Sequence, residues 1–184
     1  MAKQSAVTVA EPAAIKLDLG CGQVPKEGFI GVDVRALDKV SVVHDLTQHP
    51  WPWTDESVTE VHCSHFIEHV PNLTPFMEEL WRILIPNGTA TVIAPYYNNV
   101  RCWQDPTHLQ AISENSFLYF NKGWRVQNQL EHYGITCDFD FGYGFAWTPE
   151  WAARSDEARA FAQRHYTNVI NDIHVYLTKR PKEA

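Results

Sequence analysis

Between Leu19 and Phe29 the chain leaves one strand and enters the next with too few residues for a helix. Ile15-Lys16-Leu17-Asp18-Leu19 is a mostly apolar run that ends at Gly20-Cys21-Gly22, and Gly31-Val32-Asp33-Val34 follows closely. An apolar run ending in Gly-x-Gly reads as a buried strand entering a tight turn, where missing side chains let a ligand reach the backbone. The segment from Gln23 to Phe29 is shorter than an ordinary crossover helix, so a single turn or no helix is predicted there. Asp33, at the tip of the second run, is placed to accept hydrogen bonds from ribose hydroxyls.

A dinucleotide fold asks for Gly-x-Gly-x-x-Gly at a helix N-terminus, with an acid about twenty residues further on. Here Pro25 stands at the third glycine position and Asp33 comes too early. A nucleoside cofactor without phosphates suits this crevice better. At this point the chain resembles the class I S-adenosylmethionine-dependent methyltransferases, in particular the compact subgroup whose first crossover is a short Pro/Gly loop. The resemblance continues through Val42-Val43-His44-Asp45-Leu46, Trp51-Pro52-Trp53, Asp55-Glu56-Ser57-Val58 and Cys63-Ser64-His65-Phe66-Ile67-Glu68-His69. It extends along Phe76 to Thr89, where Asn87 replaces the first glycine of the family's turn, a mild change because Asn tolerates left-handed backbone.

The resemblance implies an α/β, Rossmann-like methyltransferase fold: a seven-stranded, mostly parallel sheet with helices on both faces. It implies S-adenosylmethionine as cofactor, S-adenosylhomocysteine as product, and transfer of a methyl group to an oxygen or nitrogen of a small-molecule acceptor. By the same resemblance the turn Asp18, Leu19, Gly20, Cys21 and Gly22 would hold the methionine moiety. Asp33 and Val34 would meet the ribose, Asp45 and Leu46 the adenine, and Ser64 and His65 the region of the sulfonium. His65 also joins the candidate catalytic residues.

Composition places this on one domain. The chain has 184 residues and a formal net charge of -7, with no basic footprint for a nucleic-acid backbone. Cys21, Cys63, Cys102 and Cys137 are scattered without metal or disulfide-framework spacing, and no leader or membrane-length apolar run is present. They read as reduced thiols in a cytoplasmic protein without membrane or nucleic-acid partners. Residues 1–12 read as a flexible tail and 13–184 as the domain. Strands are predicted at 15–19, 29–34, 40–44, 58–63 and 89–94, with a closing pair at 134–141 and 172–178. A helix is predicted between Asn72 and Ile85, with Leu73, Phe76, Met77, Leu80, Trp81 and Leu84 inward and Glu78, Glu79 and Arg82 on the other face. A further helix is expected at about 149–166.

The stretch at about 96–133 mixes aromatic and hydrogen-bonding side chains directly after the fifth strand, which predicts an acceptor pocket or lid. Within it Asp105-Pro106-Thr107-His108 resembles a motif of small-molecule methyltransferases. His108 is the expected proton acceptor and Asp105 its brace. His65-Phe66-Ile67-Glu68-His69 also matches the inverted zinc-protease pattern His-x-x-Glu-His, the basis for an alternative reading as a metal-dependent hydrolase. Its start at a strand end, the nearby Pro71 and the lack of a distal glutamate argue against that. Through a Glu-His pair and a later histidine the chain also resembles methyltransferases that hold a divalent ion, here His65, Glu68, His69 and His108. The expectation is nevertheless that no metal is bound. A cofactor-binding protein without catalysis is the remaining alternative.

Overall fold

The computed structural model describes residues 14–181; the tail expected at 1–12 lies outside them. The strands are β1 (Ile15–Leu19), β2 (Ile30–Asp33), β3 (Val42–Val43), β4 (Val58–Ser64), β5 (Leu84–Pro95), β6 (Phe139–Trp147) and β7 (Ile170–Lys179). They form one sheet in the order β3-β2-β1-β4-β5-β7-β6. The first five are parallel, and β7 runs antiparallel to both β5 and β6. This is the seven-stranded Rossmann-like sheet that the sequence predicts. No helix among the described residues is long and apolar enough to cross a membrane.

The helices are α1 (Leu73–Ile83), α2 (Val100–Gln104), α3 (Lys122–Gln127), α4 (Pro149–Ala152) and α5 (Asp156–His165). None lies in the connections from β1 to β4, so the first crossover is a bare loop. The Pro25 ring lies against Gly31, where a Cβ would fall 2.6 Å from its Cγ. That contact packs the loop onto β2 without a helix. It also gives Gly31 a role that any larger residue would disrupt.

Asn72 caps α1 by accepting from the Thr74 amide at 3.0 Å. Phe76, Met77, Leu80 and Ile83 carry its buried stripe. Leu84 is not helical but the first residue of β5. Trp51 is a packing residue, its ring meeting Phe76 edge-on at 5.2 Å. The other face of α1 is engaged as well. Glu79 accepts from the Trp51 amide at 2.7 Å, and Arg82 bonds Glu79, Asp55 and the carbonyls of Trp51 and Trp53. Burial pushes the Glu79 carboxyl up, but its bonds to Arg82 and Trp51 outweigh this and hold it below the usual range.

Glu78 corrects a second expectation. The sequence predicts a strand over 134–141, yet β6 begins only at Phe139. The Thr136 amide and hydroxyl donate to Glu78 at 2.5 Å each, and the Cys137 amide donates to it at 3.1 Å. The Thr136 and Cys137 amides are spent on α1, and β7 ends at Lys179 opposite Phe139, so among the described residues no partner strand extends alongside residues 134–138. The helix expected over 149–166 is likewise two pieces, because Ser155 starts a new cap by accepting from the Ala158 amide at 3.3 Å.

Glu78→Ala should therefore lower the unfolding free energy by roughly 2–4 kcal/mol in urea titration, since it orphans three donors. Glu150→Ala, at an exposed position of α4, should change it by less than about 0.5 kcal/mol.

Candidate functional site

At the carboxyl end of β1 the chain turns through Gly20 and Gly22, with φ of 68° and 57°. The amides of Gly20 and Cys21 both donate to the Val32 carbonyl, at 2.9 and 3.1 Å. Two nearly buried carboxylates hold the turn and the loop after it. Asp33 accepts from the Gly22 amide at 2.9 Å and the Arg35 amide at 3.0 Å. Asp18 accepts from the Lys26 amide at 2.8 Å and lies 2.8 Å from His62 Nδ1. A carboxylate offers about four lone-pair positions, so each keeps acceptor capacity for a ligand.

These groups border a cavity of about 310 Å³ lined by Asp18, Gly20, Cys21, Val24, Lys26, His62 and Ser64. The Cys21 thiol is pushed up to about 11, by burial first and then by Asp18 and Asp33, so it is a neutral wall and not a nucleophile. Leu19 is fully buried, so its side chain belongs to the core and only its backbone serves the turn. Val34 is 60% exposed. Asp45 spends one oxygen on the Thr47 hydroxyl and amide, which hold its carboxyl below the usual range. Leu46 is buried beneath it.

His62, Lys26 and Val24 were not singled out from the sequence. His62 had a signal: it lies two residues before Ser64 on β4, hence on the same face, and it pairs with Asp18 in the β1–β4 register. Lys26 contributes to the site through its backbone amide, which residue type does not disclose.

Beyond Ser64 the chain leaves the sheet through His65, which adopts a left-handed φ of 53° while its amide donates to the Ile93 carbonyl at 2.8 Å. A non-glycine residue in that region is held there by its surroundings. Its ring stands between two carboxylates, with Nδ1 3.4 Å from Glu68 and Nε2 3.9 Å from Asp172. The His65 imidazole is more basic than usual. Contact with Glu68 is the chief cause, Asp172 adds to it, and partial burial and Arg101 oppose it. Arg101 in turn chelates Asp172 at 2.9 Å.

A 3-10 turn over Ile67–His69 carries Glu68 inward. Its carbonyl receives the amides of Leu109 and Gln110 at 2.7 and 3.0 Å, which clamps residues 105–110 over the end of β4. Of the expected lid, Arg101 and residues 105–110 lie by His65 and Glu68 at the strand ends, whereas later parts pack inward. Phe117, Phe120 and Arg125 are buried in the core, with Arg125 donating to the Tyr119 and Cys137 carbonyls.

Asp105 does not hydrogen-bond His108. Its Oδ1 accepts from the Thr107 amide and hydroxyl at 2.8 and 2.7 Å, and its Oδ2 is 3.9 Å from His108 Nε2. His108 instead places Nδ1 2.9 Å from the Cys102 carbonyl and turns Nε2 toward Glu68, 4.0 Å away.

Residues 25–92 match the family model of a methyltransferase domain. Over that stretch the chain is similar to methyltransferase domains. No curated protein sequence matches it. Among solved structures, an S-adenosylmethionine-dependent methyltransferase from Archaeoglobus fulgidus aligns with a TM-score of 0.63 at 18% identity, over 91% of this chain and 87% of its own. A methyltransferase solved in complex with the Haloferax volcanii Trm112 activator gives 0.54 at 15%, over 93% and 84%. Phosphoethanolamine N-methyltransferase 2 of Haemonchus contortus, with S-adenosyl-L-methionine bound, gives 0.51 at 15%, over 91% of this chain and 49% of its own. At such identities the structural likeness speaks for the fold.

Gly20 is the tightest point of the turn, because a Cβ there would lie 2.5 Å from Phe66. Gly20→Ala should cost roughly 2–4 kcal/mol of stability, combining a left-handed backbone with a clash. Gly22→Ala meets nothing within 4 Å and should cost only about 1 kcal/mol. Paired urea denaturation of the two variants checks the ranking.

Proposed function

We propose that this chain is an S-adenosylmethionine-dependent methyltransferase that acts on an oxygen or nitrogen of a small molecule bound over the ends of β4 and β5, beside the cavity at Asp18 and Ser64. The observation that supports this is the convergence of polar groups there: the carboxylates of Asp18 and Asp33, the imidazoles of His62 and His65, and Ser64, all at the carboxyl edge of the parallel strands. Open α/β sheets bind ligands at this edge.

The residues fit the cofactor's chemistry. Asp18 and the Lys26 turn offer a carboxylate and backbone groups for an amino acid moiety, and Asp33 offers its remaining lone pairs to ribose hydroxyls. Asp45 and Leu46, at the end of β3, take the base. When bound, S-adenosylmethionine supplies an electrophilic methyl group on a sulfonium. The protein's task is then alignment and exclusion of water, with little acid–base work.

On the acceptor side stand His65, 40% exposed at its side chain, with Asp172 and Arg101 behind it. His65 takes the acceptor-facing place assigned in the sequence to His108, whose free ring nitrogen points at Glu68. The negative charge of Glu68, Asp105 and Asp172 favours an acceptor that carries hydroxyl or amine donors over one that is polyanionic.

Asp33→Ala should weaken S-adenosylhomocysteine binding by about 2–4 kcal/mol, or roughly 30- to 1,000-fold, in titration calorimetry. Incubation with S-adenosylmethionine and a fractionated metabolite extract tests the reading directly. Release of S-adenosylhomocysteine together with one newly methylated small molecule is expected. Turnover only with protein or nucleic-acid fractions would contradict it.

A further inference from the structure

We propose that Glu68, His69 and His108 bind one divalent cation of the zinc class. The sequence leads to the opposite expectation, and the geometry reverses it.

One ligand atom from each of these three side chains lies within 4.8 Å of the others. Glu68 is 1% exposed, and neither of its carboxylate oxygens has a hydrogen-bond partner. His65, 3.4 Å away, lies out of line for one. A buried carboxylate without donors is among the costliest arrangements a fold can hold.

The neighbouring rings are each oriented through Nδ1. His108 Nδ1 is 2.9 Å from the Cys102 carbonyl, so that nitrogen carries the proton. Nε2 faces Glu68 Oε1 at 4.0 Å. The Thr107 hydroxyl gives its proton to Asp105 at 2.7 Å. His69 Nδ1, 3.0 Å from that hydroxyl and 3.2 Å from the Thr107 carbonyl, is therefore the donor. Two imidazoles and one carboxylate, each imidazole oriented through its Nδ1 by a carbonyl or hydroxyl so that Nε2 faces the cluster, form the ligand set and supporting shell of a His₂Glu metal centre.

A zinc ion with bonds of about 2.0–2.2 Å needs its ligand atoms roughly 3.3–3.5 Å apart. The Glu68–His108 pair has to close from 4.0 Å, within reach of side-chain rotation. Three protein ligands leave a further position for water or an acceptor oxygen. The backbone is already clamped for this, because the amides of Leu109 and Gln110 are tied to the Glu68 carbonyl and so fix residues 107–109 over the 3-10 turn.

The test uses the full chain without an affinity tag, stripped with a chelator and retitrated with Zn²⁺ by calorimetry and with Co²⁺ by visible absorption. One ion per chain and a Co²⁺ d–d spectrum are expected. Glu68→Gln, which keeps the shape of the side chain, and His108→Ala should each weaken binding by at least about a hundredfold. Thr107→Val, at an exposed supporting residue, should weaken it roughly 10- to 100-fold with the fold intact. The proposal is overturned if neither ion is taken up. It is equally overturned if Glu68→Gln binds as the parent does, or if that variant is more stable than a parent that binds nothing, which would make Glu68 a protonated core acid.

Discussion

Two buried carboxylates do the work that a crossover helix does in larger folds of this architecture. The loop between β1 and β2 has no helix to hold it, so its amides need other partners. Asp33 takes the amide of Gly22, and Asp18 takes that of Lys26, both at or below 2.9 Å. Charge-assisted bonds of this kind offset the desolvation of a carboxylate, and each acid remains partly open on the ligand side. The same two residues thereby shape the loop and present the polar edge of the cavity. With neutral residues at both positions the loop would lose its anchor and the cavity its charged edge together.

The adjacent strand completes the site by register. Pairing of β1 with β4 brings His62 beside Asp18 and aims Ser64 at the same cavity. The left-handed turn at His65 then swings the chain out of the sheet. Glu68 is driven inward, and its carbonyl catches the segment that carries Thr107 and His108. The cavity at Asp18 and the surface at Glu68 and His108 are thus linked through six residues of backbone, from Ser64 to His69. A change in either is felt by the other through packing, with Phe66 against Gly20 as the direct contact.

Much of this was legible in the sequence. The positions of the first strands follow from the alternation of apolar runs with turn residues, the seven-stranded sheet from the family resemblance, and the shortness of the first crossover from counting residues between Gly22 and Phe29. What stayed hidden shares one physical cause: side chains that serve the backbone of distant segments. Glu78, Glu79 and Arg82 read as a solvated helix face because periodicity reports burial and not hydrogen-bonding partners. The late onset of β6 is invisible until Glu78 is seen holding Thr136 and Cys137. Asp105 and His108, three residues apart, suggested a bonded pair, yet the intervening Thr107 captures the carboxylate while the Cys102 carbonyl captures the ring.

A crystal structure of the protein with S-adenosylhomocysteine tests the central claim most directly. The account predicts the amino acid end of the ligand in the cavity between Asp18, Gly20 and His62, and its ribose hydroxyls on Asp33. The bonds from Asp33 to Gly22 and from Asp18 to Lys26 should be retained, since the turn is already formed. A ligand bound elsewhere, or one that enters only after those two bonds break, would contradict it.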